Sequence, residues 1–588
     1  MGPCGVKKKA SGNRPGLTSW QELAVDQLRQ VASEHPEALT VVRQRPVLER
    51  DCAWVPIRLP TGDLPREPNG LQLDEQEQFQ VGIPAGPLSP PRVEVEHIRF
   101  AGFPHVLQGR RLCIYLDPAR EWSPKQGMVG FLGRLWTWLG DAAGGRFDSV
   151  KALYHAVGGV LHRSDGTPTI VVREEFTGIR PAQRAWLLHR TDRRLDLTFA
   201  PPTVRSLTLP VLSLCADLPF GAGITVRELV HIVDSQPPLA PRSHDGLGPV
   251  PSLAILTTLA ASAVRNEAGT PQYFCLAVPH PTGGPRHLLI GRLPIEAADG
   301  LRMHAHRNGP MLDTAWDTVS EEVPIEWCGV SDERAEVSTR RDAQCPVQTF
   351  RGKKVHVWGC GGLGSWIAEF VVRAGTAEIT VCDPGSVTGG LLVRQDYAEE
   401  DIGRNKAEAL AIRLSAISDI VKVHAVPGGM PHNPEKALAS DILIDATTSD
   451  AVAQLLHALA LQEDSRHALL AQVATDVRTG TLGLLVVSPP ANREGPIEVD
   501  RRVGKKALAE ATLESYHPFW QEPLDGQEII PTRGCSVPTF HGSAADMAAV
   551  AACLVTLMGS QLSEPTSGIH LVGLPHSDAS RHYVFIRG

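Results

Sequence analysis

"KKVHVWGCGGLGSWIAEFVVRAGTAEITVCD", residues 353 to 383, decides how the C-terminal part of this 588-residue chain folds. Val355 to Trp358 is a short apolar run of strand type, and Gly359-Cys360-Gly361-Gly362-Leu363-Gly364 is a G-x-G-x-x-G turn. Ile367, Phe370, Val371 and Ala374 then recur at helical spacing. A second apolar run ends at Asp383, nineteen residues after Gly364. Strand, glycine turn, helix and acid-ended strand in that order predict a nucleotide-binding half-fold. Its glycines (Gly359, Gly361, Gly362, Gly364) bring backbone N–H groups to phosphates at a helix N-terminus, and Asp383 is placed to meet a ribose hydroxyl.

Glycines alone would serve a nicotinamide dehydrogenase equally well, so the following segment discriminates. "GGLLVRQDYAEEDIGRNKAEALAIRLSAI", residues 389 to 417, adds Arg394, Gln395 and Lys406 in one connection. Two cations beside a phosphate site suit a reaction in which negative charge builds on a triphosphate as it is cut. Further on, "PTRGCSVPTFHGSAADMAAVAACLV" sets Cys535 between Gly534 and Ser536. A thiol in such a Gly/Pro-punctuated loop is expected to be more accessible than Cys553 in the apolar helix that follows.

The chain length exceeds what one core can serve and implies three or four domains. A composition of 42% hydrophobic and 21% charged residues is ordinary for globular proteins, and a net charge of -8 argues against a general nucleic-acid binder. No uninterrupted apolar run reads as a membrane span, and "MGPCGVKKKASGNRPG" lacks the apolar region of a signal peptide, so residues 1–18 read as a flexible leader of a cytoplasmic protein. Eleven cysteines without a C-x-x-C pair disfavour a disulfide framework and a structural zinc site. "HAH" at His304 to His306 lacks further ligands at a metal-binding spacing.

After the leader, "SWQELAVDQLRQVAS" predicts an amphipathic helix capped by Ser19, and "ALTVVRQRP", "WVPIRLP" and "FQVGIP" predict strands. "RRLCIYLDPAREWSP" puts Cys113 on a strand-like run, either as core filler or as a nucleophile at a domain rim. "GMVGFLGRLWTWLGDAAGG" predicts a helix ending at Gly144-Gly145. These close a domain at residues 19–160. Residues 161–340 alternate strand-like and helical runs without a catalytic pattern.

The set Gly-x-Gly-Gly-Leu-Gly, Asp383, Arg394-Gln395 and Gly403-x-x-Lys406 resembles the ThiF/MoeB-type adenylation domain of ubiquitin-activating enzymes, over residues 341–588. The resemblance implies a Rossmann-like domain that uses ATP and Mg2+ to adenylate a C-terminal glycine. Asp383 would hold the ribose, Arg394 and Lys406 would neutralise phosphates, and Cys535 would form a thioester. Two departures stand out. Leu391 replaces the usual Asn, and the metal-binding acidic segment reads Asp445-Ala-Thr-Thr-Ser-Asp450, which makes Asp450 the first candidate for magnesium and Asp445 a structural alternative. Relatives of this type dimerise and send an arginine into the partner's site; Arg340 or Arg341 occupies the corresponding place.

"PLSPPRVEVEHIRFAGFPHVLQGRRLCIYLDPAREWSP" resembles the core of ubiquitin-conjugating enzymes. Phe103-Pro104-His105 stands for their His-Pro-Asn, so His105 takes the place of the oxyanion-stabilising Asn, and Cys113 that of the conjugating thiol. A conjugating-type α+β domain, a mixed α/β middle and an adenylation domain in one chain are similar to the fusion enzymes of bacterial type II CBASS antiphage operons. That kinship implies transfer of the C-terminal glycine of a cGAS-like nucleotidyltransferase, or of a small ubiquitin-like modifier in a neighbouring operon type, through Cys535 and Cys113 to target amines. The net charge and the absence of an uninterrupted apolar run set the expectation of no direct nucleic-acid partner and no membrane. A sulfur-carrier adenylyltransferase and a non-catalytic nucleotide-sensing scaffold are the rival readings.

Overall fold

The computed structural model describes residues 16–588 except 148–163, 235–252, 309–322, 522–541 and shorter stretches at 44, 50, 96, 101–102, 108–110, 165, 177–181, 217, 219–222, 280–283, 338–341, 429–432, 448 and 463–465. The chain divides into two units, Met1–Thr339 and Arg340–Gly588.

In the first unit the helix Ser19–Glu34 is capped by Thr18, one residue before the expected Ser19. Thr18 Oγ1 accepts the Gln21 N–H at 3.2 Å and Gln21 Oε1 accepts the Thr18 N–H at 3.0 Å, a reciprocal capping box. The buried Gln21 amide also donates to the carbonyls of Asp51 and Ile83, tying the helix to the sheet beneath. That sheet pairs Cys52–Pro60 with Gln76–Pro84 in an antiparallel ladder from Cys52↔Pro84 to Pro60↔Gln76, and Arg92–Glu94 adds an edge. Val55, Ile57, Phe79, Val81 and Ile83 pack with Ala24, Val25 and Leu28 of the helix. The expected helix appears as Gly127–Ala143; it adds Met128, Phe131, Leu135 and Leu139 to this core and ends at Gly144. Between them the run around Cys113 is no strand. Among the described residues this run forms single bridges only, Glu94↔Arg111 and Val106↔Leu112, before Pro118 opens a short helix.

Residues 169–332 build an eight-stranded sheet among the described residues. Ala182–Thr191 and His287–Leu293 are strands that sequence periodicity did not single out; in the first, buried Ala185 and Leu187 flank half-buried Trp186 between Arg184 and Leu188. His304 and His306 lie on the helix Ile295–Asn308, and no metal-type cluster occurs among the described residues.

The second unit is a doubly wound sheet in the order Lys422–Val426, Glu378–Cys382, Lys354–Trp358, Ile442–Asp445, Leu469–Thr475, with Leu482–Ser488, Gly568–Gly573 and Tyr583–Arg587 added antiparallel. The first five strands are parallel. From Lys354–Trp358 the chain goes to one side for Glu378–Cys382 and later returns to the other for Ile442–Asp445, so the order reverses at the glycine turn. Open α/β sheets bind ligands at this switch point, beyond the carboxyl ends of the strands. The helix Ala544–Ser563 is long and apolar enough by length and composition to cross a membrane, a run the sequence reading passed over. Here its Met547, Val550, Ala551, Leu554, Val555 and Met558 belong to the core of the sheet.

Candidate active sites

The glycine turn is shaped by contacts that exclude side chains. Gly359 has φ +88, and a Cβ there would stand 2.6 Å from the Ala446 carbonyl oxygen; one on Gly364 would stand 1.8 Å from that of Gly359. At Gly361 a Cβ would meet nothing within 4 Å, so this glycine borders open space. The turn leads straight into the helix Gly364–Arg373, where Ser365 N bonds back to Gly361 O and Ile367 N to Leu363 O. The amides before the first helical turn have no intrahelical acceptor and make an anion site.

Asp383 closes one side. Its Oδ2 accepts the Cys360 N–H and its Oδ1 the Gly385 N–H, both at 2.7 Å. Asn405, which sequence reasoning missed, binds this loop to the next helix. Its Nδ2 donates to the carbonyls of Asp383 and Gly385, while its Oδ1 caps the helix Lys406–Ile417 by accepting from Ala407 and Glu408. The available signal was an Asn immediately before a helix-forming run. The Lys406 side chain lies beside Gly385 and Asp383 in consequence. Arg394 is buried to 7% exposure, its carbonyl accepting the Trp366 indole N–H at 3.3 Å, and burial lowers its pKa. Gln395 beside it is buried too, its Oε1 without a hydrogen-bond partner among the described residues.

The two acidic candidates separate. Asp445 ends its strand opposite Trp358 and is 1% exposed; Oδ1 accepts from Thr447 N and Oγ1, whereas Oδ2 is buried with no hydrogen-bond partner among the described residues. Burial pushes its pKa up. Asp450 sits exposed in the first turn of the helix Asp450–Gln462. The glycine turn, Asp383, Lys406 and Asp445 thus gather beyond the carboxyl ends of the inner strands, and the Arg394 main chain joins them through Trp366 at the start of the helix Gly364–Arg373. Cys535, Arg340 and Arg341 lie outside the described residues. Cys553, expected to be less accessible, is exposed because it lies on the solvent side of its helix.

In the first unit Cys113 and His105 are held together through the main chain: Cys113 N donates to His105 O at 2.8 Å. His105 has φ +62, a left-handed conformation uncommon for a residue with a side chain and costing of order 1–3 kcal/mol unless its surroundings hold it. Its ring meets Phe147 edge-on at 4.7 Å between centroids, and Phe147 in turn contacts Trp138. Burial lowers the imidazole pKa below its ordinary value, leaving a neutral ring with one N–H donor at pH 7.

Cys113 is half-buried, its Sγ 3.5 Å from Tyr115 O. Burial pushes its thiol up, the Arg111 charge opposes this, Glu121 adds to it and Arg134 opposes it. Arg134 also clamps the segment: Nε donates to Ile114 O at 2.9 Å and Nη2 meets Glu121 Oε2 at 2.9 Å.

A raised thiol pKa means that alkylation of Cys113 rises about tenfold per pH unit through neutrality and levels off only in alkaline solution. Arg134→Met is expected to move the profile further alkaline and slow the reaction about two- to fivefold at pH 7.5, the scale of a partly exposed charge pair. Peptide-resolved iodoacetamide kinetics check this, and an acid-shifted profile would refute the assignment of Arg134.

Three families match in one chain: prokaryotic E2 family A over residues 40–158, the Cap2 central linker domain over 198–333 and the ThiF family over 339–480. The chain is 32% identical over 151 residues to the ATP-dependent ubiquitin transferase-like protein Cap2 of Enterobacter hormaechei subsp. hoffmannii (strain UCI 50), covering 24% of each chain. It is 29% identical over 113 residues to the protein of the same name from Pseudomonas aeruginosa (strain BWHPSA011 / Pa011), covering 18% of this chain and 20% of that one. The aligned part is therefore about a quarter or less of these relatives' length. Among solved structures, E. coli MccB with ATP aligns with 41% of this chain and 66% of its own at 16% identity and a TM-score of 0.28. An E2-like domain and a ThiF domain joined by a Cap2-type linker domain are thus present in one chain, the fusion expected from sequence.

Proposed function

We propose that the chain is an ATP-dependent protein-conjugating enzyme with two thiol stations. What supports this reading is the glycine turn at the switch point of the sheet with Lys406 beside the Asp383–Gly385 loop and the Arg394 main chain tied to the first turn of the following helix, in a chain whose E2-like domain joins Cys113 to His105 through the main chain.

A C-terminal glycine carboxylate would attack the α-phosphorus of ATP, forming the acyl phosphate bond as the bond to the bridging oxygen breaks and pyrophosphate leaves. Arg394 and Lys406 face charge that grows on that leaving group. The Cys535 thiolate then attacks the acyl carbon and AMP departs; the Cys113 thiolate displaces Cys535; an acceptor amine displaces Cys113 and loses a proton. A neutral His105 N–H suits the oxyanion of these last steps.

The orphaned Oδ2 of Asp445 fits a Mg2+ ligand better than its exposed neighbour Asp450 does, which reverses the order of preference read from sequence. Mg2+ bound there would supply neutralisation of phosphate charge. The donor would be a cGAS-like nucleotidyltransferase or a ubiquitin-like modifier, and the adenylation domain would pair as a homodimer with Arg340 or Arg341 reaching across. The nine described cysteines are all free, which suits a cytoplasmic setting.

A sulfur-carrier adenylyltransferase would leave the Cys113 domain without a task, and a nucleotide-sensing scaffold would not need the buried Arg394. ATP–pyrophosphate exchange tests the nucleotide step: a donor ending in free glycine is expected to drive exchange in the full chain with MgATP. Tight NAD binding without exchange would overturn the proposal.

A further inference from the structure

Behind the glycine turn lies a polar network that no step above uses. Ser365, in the first turn of the helix Gly364–Arg373, is fully buried; its Oγ donates to Gly361 O at 2.7 Å and accepts the Asp396 N–H at 3.1 Å. One hydroxyl therefore joins the phosphate-facing turn to the residue two places after Arg394. Trp366, next to Ser365, donates to the Arg394 carbonyl.

The Asp396 side chain is held from the following helix. Arg413 Nε lies 2.8 Å from both Asp396 Oδ2 and Glu369 Oε2, and Arg413 Nη2 is 2.7 Å from Asp396 Oδ1. Arg373 Nε donates to the other oxygen of Glu369 at 2.8 Å. Glu369 and Asp396 are 5% and 4% exposed. Burial, then the bond to Glu369, pushes Asp396 up to about 7; Glu369, against the effect of burial, is held below its ordinary value by bonds from Asp396, Arg373 and Arg413.

Buried carboxylates with a shared cation are weak contributors to stability, because desolvation offsets most of their attraction, and an apolar cluster would hold two helices at least as well. Their placement has another use. Carbonyl of Arg394, amide of Asp396 and carboxylate of Asp396 are gripped from three directions, and one grip is shared with Gly361.

We infer that Ser365 and Arg413 are positioning residues that lock the main chain carrying Arg394 to the glycine turn. The inference rests on the adenylation reading for its consequence, but the lock itself is mechanical and can be read separately.

Ser365→Ala, Arg413→Gln and Arg413→Lys in the full chain test it with two readouts. In hydrogen exchange, the Asp396 amide in Ser365→Ala, and the 391–397 segment in Arg413→Gln, are expected to lose about tenfold in protection, the cost of one hydrogen bond. The strands Lys354–Trp358 and Ile442–Asp445 should stay protected. In ATP–pyrophosphate exchange driven by a peptide with a free C-terminal glycine, kcat is expected to fall about five- to tenfold with KM for ATP within about twofold, and Arg413→Lys should recover most of the loss.

Wild-type protection and kcat in Ser365→Ala and Arg413→Gln would overturn the inference. So would uniform loss of protection through the whole domain, which would make the network a plain stability element. No pyrophosphate exchange in the wild type, together with the local loss of protection, would refute adenylation while still supporting the lock.

Discussion

Cys113→Ala is expected to abolish stable conjugate while leaving pyrophosphate exchange and a reductant-sensitive thioester on Cys535 at wild-type levels. The inequality follows from the placement of the chemistry. In the proposed relay, adenylation would take place in the unit Arg340–Gly588 and conjugation at Cys113 in the unit Met1–Thr339. In each transfer the thiolate forms the new bond, so its removal stops that transfer and leaves the steps before it intact. Alanine is a mild change here, because Cys113 is half-buried and its main-chain bond to His105 survives the substitution. The matching Cys535→Ala variant should keep pyrophosphate exchange and lose both thioesters. Non-reducing gels with MgATP and a glycine-ended donor check both. Reductant-resistant conjugates at the wild-type rate from Cys113→Ala would return that cysteine to the role of core filler.

Arg394→Ala and Lys406→Ala are each expected to slow adenylation about a hundredfold or more, the scale of about 2.7–4 kcal/mol for one group facing charge that develops in the transition state. Arg394 is the sharper case. The residue is 7% exposed, and its carbonyl is held by Trp366 at the start of the helix that follows the glycine turn. The Asn405 cap and the Gly385 loop place Lys406 beside Asp383, so its loss removes a cation without disturbing the helix start. Rates at saturating ATP should carry the effect, while thermal midpoints should move little for Lys406→Ala. Wild-type exchange in either variant would mean that the cations do not face the phosphates.

What the sequence disclosed was mostly local. The strand, glycine turn and helix at 354–373 could be read because backbone geometry at Gly359 and Gly364 admits no side chain. The helix at 127–143 and its glycine end followed from spacing and punctuation. The cap expected at Ser19 falls one residue earlier, at Thr18, where Gln21 completes a reciprocal capping box while its amide also reaches Asp51 and Ile83. The run at Cys113 looks like a strand because Leu112, Ile114 and Leu116 alternate, yet Leu112 and Ile114 are buried while Leu116 is 69% exposed, and among the described residues no neighbour completes a ladder. Ser365, Glu369, Asp396 and Arg413 gave no signal at all. They are scattered over forty-nine positions and acquire meaning only where two helices bring them together.

The central claim is that ATP drives an acyl group onto Cys113. Peptide mass spectrometry of the full chain, quenched without reductant after incubation with a glycine-ended ubiquitin-like donor and MgATP, tests it most directly. The account predicts a donor adduct on Cys113 that is cleaved by thiol reductant, requires ATP and disappears in Cys535→Ala. An unmodified Cys113 under conditions that sustain pyrophosphate exchange, or an adduct that forms without ATP, would contradict it.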